Sequence, residues 1–455
     1  MRRFWFLGLM VFIAFMGGVS LSGISLQASL LTHGIASGDV TPTSAIVWGR
    51  ANGPTTLTVE YSTDENFANA ARSQPLNVAE PTDFTGQITI KDLKPATRYY
   101  YRVIPGANGP PVSGSFVTAP TSDASPDVHF AWSADLGGQS MCRNPEYFIF
   151  KALRDAAPEF FLYLGDTIYA DERCPAPPNL PGSDFPARTL AEFRLKHQYN
   201  RLDKPYQSVL ASTATFATWD DHDVTNDFAG TNEPLMPLGR QAFFEYFPMT
   251  RQSDPNRMYR SFPWGKNIEV FILDMRQYRS PNTDPDGPNK TMLGAEQLAW
   301  LKDGLRNSKA TWKIIGASVA LSVPSNCPTA CDDWANSGSA TGFERELLDL
   351  TNFILQNRIK NILWLTADLH YAQVISYDPN SDGTPDFYEF TSGPLSALLF
   401  FVAPLDPTLN PTLIYGDANY PNFGQISVKG STGQITLEFV DQVGETRYKK
   451  TLDPR

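Results

Sequence analysis

The sequence predicts an α/β protein with an all-β front, and three patterns carry that prediction. Between 32 and 119, short runs alternate apolar and polar residues between turn residues, with no long helical pattern, as in a β-sandwich of the immunoglobulin or fibronectin kind. After a linker at 120–126 the pattern changes to strands alternating with helices, which is how a helix-covered sheet reads. In this second part, over 127–451, four apolar runs stop directly at acids or histidine. One such run is weak evidence of a site; four in one chain suggest a shared pocket.

Taken in order, residues 1–28 carry Arg2 and Arg3, an apolar stretch at 4–19, and then small and polar residues, the layout of a secretory signal peptide. The stretch is shorter and more glycine-broken than the ~20 residues a bilayer span needs, so removal is expected, with no stable membrane span afterwards. Two arginines before aromatic residues also admit a twin-arginine signal beside ordinary Sec export, although the polar residue usual before the pair is missing. Either route leads to a periplasmic or secreted protein. Its four cysteines fit an oxidising compartment; three pairings are formally possible, and Cys142 with Cys174 and Cys327 with Cys331 are the expected ones. Zinc at Cys327 and Cys331 would need a second pair of soft ligands nearby, and there is none.

The net charge of −11 becomes more negative once 1–28 and its two arginines are removed. Such a surface repels polyanions, and no basic cluster speaks for nucleic acid. A monomer is expected.

In the front part, strands are expected at 44–50, 56–62, 86–90, 98–104 and 113–118, and residues 93–101 resemble the corner before a late fibronectin strand. The second part opens with a βαβ unit: a strand at 128–133, a helix at 145–157 with Phe148, Leu153 and Ala156 inward, and a strand at 160–164. Helices follow at 191–198 and 240–246, a strand at 268–273, and an amphipathic helix at 294–307 with Leu298, Leu301 and Leu305 in register. A strand at 313–321, a helix at 343–357 and a buried strand at 362–366 come next. The runs at 425–429, 434–440 and 446–451 read as a β-meander that extends a sheet.

The stretch from Phe160 to Asp171 organises the rest. Five apolar residues end at Gly165, and Asp166 follows at the carboxyl edge, where ligands collect in open α/β sheets. Tyr169 and Asp171 add oxygen donors suited to hard or borderline cations. The same construction recurs at Asp135, at 220–227 around His222, and at Asp368 to His370. His33, His129 and His197 stand alone in strand or helix patterns and are read as structural. Arg276, at a strand end between Asp274 and Arg279, is the candidate clamp for a substrate phosphate, with a buried Asp–Arg pair that orders a loop as the alternative.

Five motifs in order carry a resemblance: His-Gly-Ile-Ala-Ser-Gly-Asp-Val at 33–40, Leu-Gly-Asp-Thr-Ile-Tyr at 164–169, Trp-Asp-Asp-His-Asp-Val-Thr-Asn at 219–226, Leu-Asp-Met-Arg-Gln-Tyr-Arg at 273–279, and Asp-Leu-His at 368–370. Together they resemble the alkaline phosphatase D, or PhoD-like, family. The resemblance implies a calcineurin-like metallophosphatase α/β sandwich behind the front domain, hydrolysing phosphate mono- or diesters with a metal-bound hydroxide. It implies Asp166 as the bridging carboxylate, Tyr169 as a phenolate ligand to trivalent iron, and Asn226, Asp368 and Asp135 completing a site that also holds calcium. His222 or His370 would face the scissile phosphate, and His222 is favoured because Asp220, Asp221 and Asp223 raise its pKa. One departure bears on the metal: Asp135 stands where well-known members carry a cysteine, and this harder ligand also accepts manganese, calcium or zinc. Ala367 replaces a glycine usual before the last acid. The substrate is then a small phosphate ester or a phospholipid; a phospholipase D-like diesterase, with 395–403 as an apolar lining, and a catalytically silent surface binding protein are the alternatives.

Overall fold

The computed structural model describes residues 30–174, 182–327, 329–338 and 340–455. The signal peptide expected over 1–28 lies outside the described residues. No described helix is long and apolar enough to cross a membrane.

Two sheets form the centre. The nine-stranded one runs, edge to edge, Thr446–Leu452, Ile435–Asp441, Asn422–Val428, Val128–Ser133, Phe160–Leu164, Ala214–Thr218, Leu31–Gly38, Ser44–Ala51 and Thr85–Lys91. Its middle strands, Val128–Ser133, Phe160–Leu164 and Ala214–Thr218, are parallel, as the βαβ pattern requires. The expected C-terminal meander extends this sheet through the antiparallel pairing of Asn422–Val428 with Val128–Ser133. A seven-stranded sheet holds Arg260–Trp264, Ile268–Ile272, Trp312–Gly316, Ile362–Thr366, Phe387–Thr391, Ala372–Tyr377 and Pro411–Asp417.

The sheets face each other, because one apolar cluster contains Phe130, Leu162 and Phe216 from the first and Val270, Ile314 and Leu365 from the second. Phe216 stacks on Phe262 with centroids 4.0 Å apart, and Phe160 meets Trp264 at 4.6 Å. Rings of this size give each such pair about 1 kcal/mol beyond the burial itself.

The front sandwich is less separate than its sequence pattern suggests. Its strands Leu31–Gly38, Ser44–Ala51 and Thr85–Lys91 belong to the nine-stranded sheet, joined in parallel through Gly38 opposite Thr215. A Cβ at Gly38 would lie 2.5 Å from the Thr215 carbonyl and 2.6 Å from that of Pro248, so only glycine lets the two parts close. The opposing small sheet holds Thr55–Ser62, Arg98–Pro105 and Val112–Val117 with two short strands. Its corner is tied by the Lys94 N–H donating to the Tyr99 hydroxyl at 3.0 Å.

Several element bounds differ from expectation for local reasons. The first helix covers Ile149–Ala156; Phe148 is exposed, and Tyr147 takes the inward place, its N–H donating to Asp203 and its hydroxyl to Asn200. The helix expected at 191–198 runs Leu190–Arg201, opened by a Thr189/Glu192 capping box. Helix Lys204–Ser212 was not predicted; it starts on an Asp203 cap with a proline in its first turn. The strand expected at 313–321 stops at Gly316, since Ser318 and Leu321 turn away to bond Asp220 and Glu389. Helix Gly294–Asn307 and strand Ile362–Thr366 form where periodicity puts them. Both expected disulfides, Cys142–Cys174 and Cys327–Cys331, are present.

Candidate metal centre

Six parallel strands of the two sheets end toward one place, and the second residue past each end follows a rule. Past Val128–Ser133 it is Asp135, past Phe160–Leu164 Asp166, past Ala214–Thr218 Asp220, past Ile268–Ile272 Asp274, past Trp312–Gly316 Ser318, and past Ile362–Thr366 Asp368. A strand's carboxyl end leaves the packed interior there, and a short polar side chain is what that edge accommodates. Asp135, Asp166, Asp368 and His370 all adopt left-handed backbone, with φ of 65°, 46°, 68° and 59°. Four non-glycine residues in that region at one site are a strain that surrounding structure must impose, and such strain gathers at functional sites. Close approach demands glycine twice: a Cβ at Gly165 would lie 2.5 Å from that of Asp220, and one at Gly393 would lie 2.3 Å from Asp135 Oδ2.

The side chains converge in overlapping sets. Asp135, Asp166 and His370 bring one donor atom each within 4.8 Å of one another, and so do Asp166, Asp221 and His222. Asp220, Asp221 and Asp368 form a third set, Asp221, Asp227 and Asp332 a fourth, and Asp332, Asp333 and Asp368 a fifth. Burial without partners tests whether cations fit. Asp135 Oδ2, Asp166 Oδ2, Asp220 Oδ2, Asp221 Oδ1 and both oxygens of Asp333 are buried with no hydrogen-bond donor. Burial first, and then repulsion from neighbouring Asp220 and Asp221, push the pKa values of Asp135, Asp166 and Asp368 well above the carboxylate range. Unsatisfied buried carboxylates are expensive, and divalent or trivalent cations are what compensates this many at once. The all-oxygen character with two imidazoles suits hard to borderline ions.

Tyr169 and the two histidines form a second layer against these acids. His370 donates from Nδ1 to the Leu398 carbonyl at 2.6 Å, which leaves Nε2 to accept from the Tyr169 hydroxyl at 2.9 Å. Burial lowers the His370 pKa to about 4, so the ring is neutral and has a lone pair to offer. His222 lies on Tyr169 with ring centroids 4.3 Å apart and shares its Nδ1 with Asp171 at 2.8 Å. Burial alone would lower the His222 pKa; Asp221 and Asp171 outweigh it and raise it to about 9. The raised value agrees with expectation, but Asp171 makes the direct contact, while Asp223 is engaged by Thr167 and the Asp220 N–H. Asn226 sits on the exposed rim, its N–H donating to Asp171 at 2.8 Å.

Arg276 is the one correction to the expected site. It is fully buried, bonds Asp220 through Nε, and meets Asp332 through Nη1 and Nη2, each at 2.7 Å. Its charge is spent on Asp220 and Asp332, and Arg276 itself does not line the cleft. Arg279 joins it, bonding Asp332 at 2.8 Å, so the buried ion network of the alternative reading is what exists. Asp332 and Asp333 were missed: they follow Cys331 in a loop, without the apolar run that marks the other acids.

The centre opens into a cleft of about 420 Å³ with a mixed lining. Asp221, His222, Asn226, Asp332, Asp368 and His370 supply polar groups to it; Val323, Leu369, Phe400, Phe401 and Ala403 supply apolar ones. A larger groove of about 840 Å³, beside Lys151 and Asp155, holds none of these groups.

Comparison with known proteins agrees with this geometry. The family model for PhoD-like phosphatases matches residues 130–439, and that for the N-terminal domain of PhoD-like phosphatases matches 19–120. Alkaline phosphatase D of Bacillus subtilis (strain 168) is 28% identical over 383 residues, 74% of this chain; the chain spans 64% of that relative's length. Among solved structures, PhoD superposes with a TM-score of 0.77 at 21% identity, covering 93% of this chain and 89% of that one. The purple acid phosphatase PPD1 from yellow lupin (Lupinus luteus) seeds gives 0.66 at 16% identity, covering 94% and 74%. These two likenesses establish a shared fold.

Proposed function

The chain belongs to the PhoD-like phosphatase family, and on that premise we propose that it is an exported, metal-dependent hydrolase of phosphate mono- or diesters working in the cleft above Asp166. The observation that carries this reading is the set of buried, donorless carboxylate oxygens on Asp135, Asp166, Asp220, Asp221 and Asp333, gathered beside two imidazoles. Asp135, Asp166, Asp221 and Asp368 would hold the cations, with Asp166 shared between two of the donor sets and Tyr169 and Asn226 at the edge. When bound, a pair of such cations binds phosphate oxygens and makes water a nucleophile near neutral pH.

The chain's own residues do the rest. His222 is the proton donor to the leaving oxygen: Asp221 and Asp171 raise its pKa, it lines the cleft, and Asp171 fixes its Nδ1 so that Nε2 is the nitrogen left for the ester. His370 stays neutral and orients Tyr169. Arg276 and Arg279 set the positions of Asp220 and Asp332 from behind. Export is supported by the signal-like 1–28 and by two disulfides, which persist in oxidising compartments. Asp135, a harder ligand than the family's cysteine, leaves manganese, calcium or zinc open beside iron.

The test is metal analysis of purified protein with hydrolysis of mono- and bis-nitrophenyl phosphate before and after chelation. Bound metal with turnover that chelation removes is the expected result. Full turnover without metal would overturn the reading.

A further inference from the structure

The apolar lining of the cleft contains an anomaly. Phe401 is 78% exposed, the most exposed large apolar side chain among the described residues, with Phe400 and Leu398 at 43% and 46% beside it. Leaving such a ring in water forgoes roughly 2 kcal/mol of burial, and apolar surface kept at the rim of a site marks a binding surface. Nor is the segment a loose tip. Phe400 stacks on His370 with centroids 4.7 Å apart and planes 4° from parallel, and the Leu398 carbonyl takes the His370 Nδ1 proton. On the far side the Ala403 N–H donates to the Tyr371 hydroxyl at 3.2 Å. Val402 packs so closely over Gly416 that a Cβ there would lie 2.9 Å away. Phe401 is thus held outward by anchored neighbours on both sides, in the same cleft as the acids.

We infer that this lining is a subsite for a hydrocarbon group of the ester, with Phe401 as its specificity-determining residue; the inference rests on the phosphoesterase reading and adds the substrate class. A phosphate seated at the acids has Val323, Leu369, Phe400 and Phe401 in the same cleft to receive its organic substituent. A polyol or sugar substituent would leave those groups wet, whereas an alkyl, acyl or aryl substituent removes them and itself from water. Further anionic groups on the substituent would meet Asp227 and Asp332 and the chain's net charge of −11.

The experiment measures dissociation constants of methyl-, butyl- and octylphosphonate, below micelle concentrations, on metal-loaded protein. Wild type is expected to bind octylphosphonate roughly tenfold or more tightly than methylphosphonate, as burying several methylenes on a half-open lining requires. Phe401→Ser should compress that ratio to about twofold, and Phe401→Leu should keep most of it. A flat series in wild type, or an undiminished ratio in Phe401→Ser, overturns the subsite. Hydrolysis of nitrophenyl esters without a chain-length ratio sinks the subsite and leaves the phosphoesterase reading standing; a clear ratio without hydrolysis does the reverse. Phosphatidylcholine vesicles separate the sources: sedimentation with them that Phe401→Ser abolishes identifies a lipid chain, and a ratio without sedimentation identifies a soluble ester.

Discussion

Asp83 and Asp166 are the same residue type in opposite states. Asp83, where the front sandwich meets the helices, accepts from Arg50 Nε at 3.0 Å and Nη2 at 2.8 Å, from Gln198 at 2.7 Å and from the Tyr246 hydroxyl. Burial pulls its pKa up, but these donors more than offset that and hold it below the ordinary value. Asp166 has the His222 N–H at 3.2 Å on one oxygen and no donor on the other, and burial among Asp221, Asp220 and Asp135 drives its pKa far upward. One carboxylate has its compensating cation within the chain, and the other, on the proposed reading, takes a cation from outside. Burial raises the pKa of both, in part for the half-buried Asp83 and in full for Asp166, and the sign of the surroundings decides the outcome.

The largest effect that would sharpen the contrast is at His222, whose charge depends on the same acids. His222→Ala should lower turnover by roughly 10² to 10⁴, most for alkyl esters and least for nitrophenyl esters, whose leaving oxygen needs little protonation. Metal content should hold. An equal loss on every ester, or lost metal, would make His222 a ligand or a phosphate-binding group.

Next in size is Arg276. Arg276→Ala strands Asp220 and Asp332 without their internal cation and should destabilise the fold by about 3 to 5 kcal/mol in denaturant titrations. If Arg276 clamped substrate instead, KM would rise and stability would hold. Asp83→Asn should cost less, about 2 kcal/mol, and leave metal content unchanged.

The smallest expected effect is at Tyr169. Should iron be the ion, the protein is violet from phenolate charge transfer and Tyr169→Phe bleaches it; with Asp135 in the cysteine's place a colourless active enzyme is the other outcome, and it excludes an iron–phenolate bond.

Much of this contrast is legible in the sequence, and its gaps have physical causes. Asp135, Asp166, Asp220 and Asp368 announce themselves because each follows a run too apolar to be anything but a buried strand. Helix Gly294–Asn307 is equally clear, since Leu301 and Leu305 repeat at helical spacing and are both buried. Asp332 and Asp333 are invisible because they stand in a loop without an apolar run, and Arg276 and Arg279, distant in the chain, position Asp332. Arg276 itself shows its place at a strand end but not which way it faces, and facing decides between substrate clamp and ion network. The continuity of the front sandwich with the core sheet rests on Gly38 meeting Thr215, a pairing that alternation within each strand cannot reveal.

The most direct test compares thermal stability of wild type and Asp166→Asn, each chelated and then reloaded with metal, as pH is varied. Groups whose folded pKa is raised stabilise the metal-free fold at low pH and destabilise it as pH rises, because the unfolded chain ionises first; Asp135, Asp166 and Asp368 all have that sign, and Asp223 and Asp227, raised to about 7, extend it to neutrality. Asp83 has the opposite sign, its stabilisation present above the ordinary carboxylate value and lost as pH falls below it. The account predicts that chelated wild type loses stability from pH 5 to 8 and regains it with metal, while chelated Asp166→Asn is the more stable of the two metal-free proteins at pH 8 and gains little from metal. Wild type whose melting temperature and turnover ignore chelation across that range would contradict it.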